Sequence, residues 1–158
     1  DFVGIDGPEG NSFGTAQDLS RAIVRMWRGS GNPFIICTGG EPLLQLDQEL
    51  LAALHRLGGE VAVETNGTRL PPPGLDWITV SPKAGAPFVL RSGDELKLVY
   101  PQEGADPEQF EHLQFKYFFL QPMDGPERQA NTRKALQYCL QHPHWRLSLQ
   151  THKILGIP

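Results

Sequence analysis

Cysteine is scarce: Cys37 and Cys139 are the only two among 158 residues. They are too few and too far apart for a disulfide framework or a zinc site with C-x-x-C spacing, so both are expected to be buried and reduced. No run approaches the roughly 18 apolar residues of a membrane span, and no basic-then-apolar leader opens the chain. A soluble, cytoplasmic protein with no membrane partner is expected. Basic residues are not clustered either, and 14 Lys and Arg are outnumbered by 18 Asp and Glu, for a formal net charge of -4. Without a basic patch there is no electrostatic footprint for a phosphate backbone, which argues against nucleic acid as a direct partner. What is present suits one ordinary domain over residues 1–158: hydrophobic residues make up 39%. The 17 Gly and 14 Pro, roughly a fifth of the chain, imply many loops rather than a helical bundle. The chain opens at Asp1 in a stretch, Asp1 to Pro8, that reads as a loop already under way, so the N-terminus of the whole protein is expected upstream.

Hydrophobic periodicity lays out the elements. Thr15-Ala16-Gln17-Asp18 has the form of a capping box, and Leu19, Ala22, Ile23, Met26 and Trp27 follow at helical spacing. Phe34-Ile35-Ile36-Cys37 is a continuous apolar run of the kind expected in a strand buried on both faces. Pro42 then suits the first turn of a second helix whose stripe is Leu43, Leu46, Leu50, Leu54 and Leu57, ended by Gly58-Gly59. Val61–Val63, Trp77–Val80, Leu96–Val99 and Tyr117–Leu120 read as four more strands, with a short capped helix at Asp106-Pro107-Glu108-Gln109. A third long helix is expected from Pro126 to about Gln141, and Trp145, Leu147 and Leu149 alternate as a final strand. Strands alternating with helices predict an α/β fold with a mostly parallel sheet, either open or strongly curved into a partial (β/α) barrel, carrying about three long helices. In either case ligands bind at the C-terminal ends of the strands.

The residues at those ends are polar and conformationally constrained. Thr38-Gly39-Gly40-Glu41-Pro42 follows the first strand. Two glycines let backbone approach a ligand, and the next helix points free N–H groups at the same spot. A phosphate loop would have that form, but the Glu41 carboxylate would repel phosphate. A ligand with both an ammonium and a carboxylate, such as an amino-acid moiety, fits better; a plain turn before a capped helix is the bland alternative. Glu64-Thr65-Asn66-Gly67-Thr68 ends the next strand, with Glu64 a candidate acceptor for ribose hydroxyls or a purine-like N–H edge, or else part of a solvated turn. Ser81-Pro82-Lys83 and Gln121-Pro122-Met123-Asp124 end two more.

Taken in order, Thr38 to Pro42, Glu64 to Gly67, Ser81 to Lys83, Gln121 to Gly125 and the ending His152-Lys153-Ile154-Leu155-Gly156 resemble the radical S-adenosylmethionine superfamily. Within it they resemble the 7-carboxy-7-deazaguanine synthase family of queuosine and deazapurine biosynthesis. The Gly-Gly-Glu-Pro and Thr-Asn-Gly pieces are shared widely in the superfamily, including its glycyl-radical activating enzymes; the Gln-Pro-Met-Asp and His-Lys pieces narrow it.

The resemblance implies a lyase that uses S-adenosylmethionine, a 4Fe-4S cluster and Mg2+. It would convert 6-carboxy-5,6,7,8-tetrahydropterin to 7-carboxy-7-deazaguanine with loss of ammonia, by way of a 5'-deoxyadenosyl radical. It further implies a homodimer and an electron donor such as flavodoxin. Carried onto this chain, it assigns cofactor binding to Gly39, Gly40, Glu41, Glu64, Ser81, Pro82, Lys83, Gln121, Pro122, Met123 and Asp124. Substrate binding falls to Thr38, His152 and the terminal carboxylate of Pro158, which could accept the two adjacent donors of a pterin edge. No catalytic residue is assigned within the chain. The three closely spaced cluster cysteines and the Mg2+ threonine are expected upstream of Asp1, and neither Cys37 nor Cys139 is a cluster ligand. Two competing expectations are a cluster-free α/β module binding a nucleoside or amino acid, and an activating enzyme for a glycyl-radical partner.

Overall fold

The computed structural model describes residues 12–156. Its elements in chain order are α1 (Ala16–Met26), β1 (Phe34–Cys37), a 3-10 turn (Pro42–Leu44), α2 (Gln48–His55), β2 (Glu60–Thr65), β3 (Trp77–Val80) and β4 (Ser92–Tyr100). A second 3-10 turn (Pro107–Gln109), β5 (Gln114–Pro122), α3 (Arg128–Gln141), β6 (Trp145–Leu147) and α4 (Thr151–Leu155) complete them. The six strands follow one another through an open sheet in chain order. β1 pairs with β2, β3 with β4, β4 with β5 and β5 with β6, all in parallel. This is the α/β architecture expected from the alternation of strands and helices. The chain divides into two compact units, Asp1–Thr65 with Arg69–Ile78, and Asn66–Thr68 with Thr79–Pro158.

In the first unit Thr15 caps α1 as the sequence predicts: its hydroxyl oxygen accepts from the Asp18 N–H at 3.1 Å and donates to the Asp18 carboxylate at 2.7 Å. The core is Leu43, Leu46, Leu51, Leu54, Val61 and Val63, with Ile23, Ile35, Leu75 and Ile78 against it. Two expectations change. The single helix expected from Pro42 to Leu57 is broken, because Asp47 starts a new one: its carboxylate accepts from the Leu50 N–H at 2.8 Å, and Leu51, not Leu50, becomes fully buried. The expected burial of β1 on both faces also fails. Phe34 and Ile36, which alternate onto the same face, are 52% and 51% exposed, so that face of β1 is uncovered among the described residues.

The second unit is built on the β4/β5 pair, whose register sets Lys97 opposite Phe119, Val99 opposite Gln121 and Tyr100 opposite Pro122. Leu96, Leu98, Phe118, Leu120 and Trp145 are buried in it with Ala135 of α3. The Trp145 indole N–H donates to Glu111 at 2.9 Å, so the ring sits inside without an unpaired donor. The final strand stops at Leu147. The strand expected to run on to Leu149 thus ends early, the chain turns into α4, and Ile154 and Leu155 there are 61% and 64% exposed. No described helix is long and apolar enough to cross a membrane.

Candidate functional site at the strand ends

In the first unit the ends of β1 and β2 are joined by side chains. The Thr38 hydroxyl, just past β1, donates to Glu64 Oε2 at 3.3 Å, and the buried Thr65 hydroxyl donates to Glu41 Oε1 at 2.7 Å. The same Glu41 oxygen accepts from the Leu43 N–H at 3.0 Å, capping the 3-10 turn. Glu41 therefore holds its own loop with Oε1, and a carboxylate accepts several donors at once. Between Thr38 and Glu41 the backbone turns through Gly39 (φ 86°) and Gly40 (φ 55°). A Cβ on Gly39 would meet no atom of the described residues within 4 Å. The glycine is needed for its positive φ, and open space lies over its backbone.

In the second unit three neighbouring strand ends carry the remaining residues. Ser81 follows β3 and donates through Oγ to the Lys97 carbonyl on β4 at 2.8 Å. Pro82 is buried and Lys83 exposed, and the Lys83 carbonyl accepts from the Ala86 N–H at 3.1 Å. The Asn66-Gly67 turn is closed by the Asn66 side chain accepting from the Thr68 N–H at 2.9 Å. Gly67 has φ 79°, and a Cβ there would lie 2.7 Å from Val80 Cγ1, so only glycine fits. On β5, Gln121 is half-buried and Pro122 buried. The Met123 N–H donates to the Tyr100 carbonyl at 2.8 Å, and its carbonyl accepts from the Asn131 side chain of α3 at 3.0 Å.

Asp124 pairs with Lys153, and that contact, then the Gly125 N–H, holds its carboxyl below the usual range. His152, assigned to substrate binding by the resemblance, lies exposed on α4. Lys153 beside it is the residue that ties. Pro158 lies outside the described residues.

Asn131 belongs to none of the motifs, and Thr65 and Lys153 stand in them without an assigned role. A buried asparagine on a helix is a signal only once burial is known, and Lys153 finds its partner 29 residues away. Among the described residues no group of three or more His, Cys, Asp and Glu is placed to hold a metal ion. Cys37 on β1 and Cys139 on α3 are half-buried free thiols, and burial pushes both up in pKa, away from the thiolate form that ligates iron.

No protein-family model matches the chain. It is 60% identical over 159 residues to the 7-carboxy-7-deazaguanine synthase of Caulobacter vibrioides, an alignment covering 100% of this chain and 76% of that protein. The synthase of Bordetella pertussis is similar to the same extent, 60% over 159 residues with the same coverage. The crystal structure of QueE from Escherichia coli superposes with a TM-score of 0.67 at 28% identity, over 85% of this chain and 63% of that one. High identity across the whole length, with the strand-end motifs in place on a matching parallel sheet, decides the family: the chain belongs to the 7-carboxy-7-deazaguanine synthases.

Proposed function

We propose that the protein, as an intact polypeptide, converts 6-carboxy-5,6,7,8-tetrahydropterin to 7-carboxy-7-deazaguanine with loss of ammonia, as a carbon–nitrogen lyase of the radical S-adenosylmethionine class. The observation that carries this reading is the 60% identity over the full chain to proteins bearing that synthase name. Residues 1–158 act in it as one α/β domain.

The strand ends fit the cofactor's chemistry. S-adenosylmethionine, when bound, supplies a hydrogen-abstracting radical; the chain's residues supply position and exclude water. The open space over the Gly39 backbone and the positive φ of Gly40 let the amino-acid moiety approach closely. Ser81, whose proton is given to Lys97, keeps oxygen lone pairs as acceptors. The exposed Lys83 offers an ammonium to a carboxylate, and Gln121 offers an amide to the nucleoside. Pro82, Pro122, Met123 and Asp124 hold these groups, and Glu41 contributes by fixing the glycine turn. Thr38, hydrogen-bonded to Glu64 of the cofactor set, meets the pterin, with His152 as a further substrate contact.

Neither cysteine fits a 4Fe-4S cluster, so cluster and Mg2+ ligands are assigned to a part of the protein outside this chain. A homodimer, a flavodoxin-like electron donor and a cytoplasmic setting complete the reading. The test is anaerobic turnover by the full-length, reconstituted protein, with the carboxypterin supplied and the deazapurine and ammonia quantified. Formation of both in equal amounts is the expected result; an enzyme that cleaves S-adenosylmethionine but leaves the pterin intact would sink it.

A further inference from the structure

Three neighbouring parallel strands of the second unit end in a residue–proline step: Ser81-Pro82 after β3, Tyr100-Pro101 at the end of β4 and Gln121-Pro122 on β5. The residue after the middle step is Gln102. Its Oε1 accepts from the Ala84 N–H at 3.1 Å. The loop after β3 is thereby pinned to β4 and its extension at two points, through Ser81 to Lys97 and through Ala84 to Gln102.

The other half of the same amide is at odds with stability. Gln102 Nε2 is buried and has no hydrogen-bond partner among the described residues. Flipping the amide cannot cure this, because Nε2 would then face the Ala84 N–H, donor to donor. A buried donor without an acceptor weakens a fold, and an apolar side chain of similar shape removes that penalty. Ala84 is itself exposed, so its N–H would turn to water at little cost if the glutamine were gone. Groups that break a local rule in this way are expected where function requires them.

We infer that Gln102 is a positioning residue of the cofactor site: its side-chain oxygen holds the Ser81–Ala84 loop in the form that receives the nucleoside cofactor. The inference rests on the proposed cofactor role of Ser81-Pro82-Lys83. A loop pinned only at Ser81 must be ordered at the moment of binding, and that ordering is subtracted from affinity.

The test compares wild type, Gln102→Leu and Gln102→Glu as reconstituted full-length proteins, with S-adenosylhomocysteine as the calorimetric probe. Carboxypterin affinity, melting temperature and exchange of the Ala84 amide are measured alongside. Gln102→Leu is expected to weaken S-adenosylhomocysteine about tenfold and to speed Ala84 exchange, with pterin affinity unchanged and the melting temperature equal or higher. Gln102→Glu keeps an acceptor for Ala84 and is expected to stay within about threefold of wild type. Undiminished probe affinity in Gln102→Leu, where wild type binds, overturns this inference alone. So does a melting temperature that falls together with both affinities, which would mark a purely structural residue. Absence of probe binding by wild type overturns the cofactor reading itself.

Discussion

The two units hold their strand ends by different means. In the first, side chain meets side chain: Thr38 with Glu64, and Thr65 with Glu41. In the second, side chains reach mainly for backbone, Ser81 for the Lys97 carbonyl, Asn131 for the Met123 carbonyl and Gln102 for the Ala84 N–H, with prolines setting the exits. The strands differ too. β1 shows Phe34 and Ile36 to solvent, at 52% and 51%, whereas Leu98 on β4 and Leu120 on β5 are fully buried. Loops anchored to backbone keep their geometry when one side chain changes, because the acceptor is part of the sheet. Loops joined through carboxylates depend on both partners and on their ionisation.

The largest effect is expected where burial is complete. Leu120→Ala should cost about 2–5 kcal/mol by leaving a cavity beside Phe118, while Phe34→Ala, on the exposed face of β1, should cost less than about 1 kcal/mol. Urea unfolding of the two variants measures the contrast, and equal losses would erase the difference drawn between the strands. Next comes Glu41→Ala, which removes both the cap on Leu43 and the acceptor for the buried Thr65 hydroxyl. About 1–3 kcal/mol is expected, together with weaker S-adenosylhomocysteine binding, because the glycine turn loses its anchor. Asn131→Ala should cost about 1 kcal/mol, with a smaller loss of cofactor affinity, since Met123 remains held by its N–H to Tyr100. If Asn131→Ala impaired binding more than Glu41→Ala, the backbone-anchored loop would be the fragile one.

The smallest effect is pH-dependent and belongs to the first unit. The Val61 N–H, and after it His55, hold the Asp76 carboxyl below its ordinary value of 3.8, through bonds of 2.8 and 2.9 Å. A carboxyl whose folded value lies below its unfolded one stabilises fully above the unfolded value, and that contribution disappears as pH falls through the folded value. The window is therefore below about pH 4. With its side chain 42% exposed, Asp76 contributes no more than about 1 kcal/mol. Unfolding midpoints from pH 7 down to 3 should fall less steeply in Asp76→Asn than in wild type; parallel slopes would assign the acid loss to other carboxylates.

Most strands were legible because their apolar runs are short and bounded by Gly and Pro. Their limits were not: Leu96–Val99 grows to Ser92–Tyr100 and Tyr117–Leu120 to Gln114–Pro122, since pairing with a neighbour extends a strand beyond its apolar centre. The break in the second helix was written in Asp47, a good cap, but a continuous leucine stripe masked it. At the site, the polar tips Thr38, Glu41, Glu64, Ser81, Gln121 and Asp124 could be read from their position at or just past the ends of strands. Gln102 could not, because its partner Ala84 lies 18 residues away and no local pattern joins them.

The sequence by itself determined which residues stand at the ends of the strands, because alternation of apolar runs with Gly- and Pro-bounded turns is a local property, and it carried the family in the order of those turns. Only the tertiary structure decided what each tip does. It used Glu41 to cap its own loop, gave Asp124 to Lys153, 29 residues away, and left Gln102 with one amide end engaged and the other buried without a partner among the described residues. Hydrogen-bond partners are chosen by which groups the folded sheet brings within about 3 Å, and those distances do not exist until the sheet has formed.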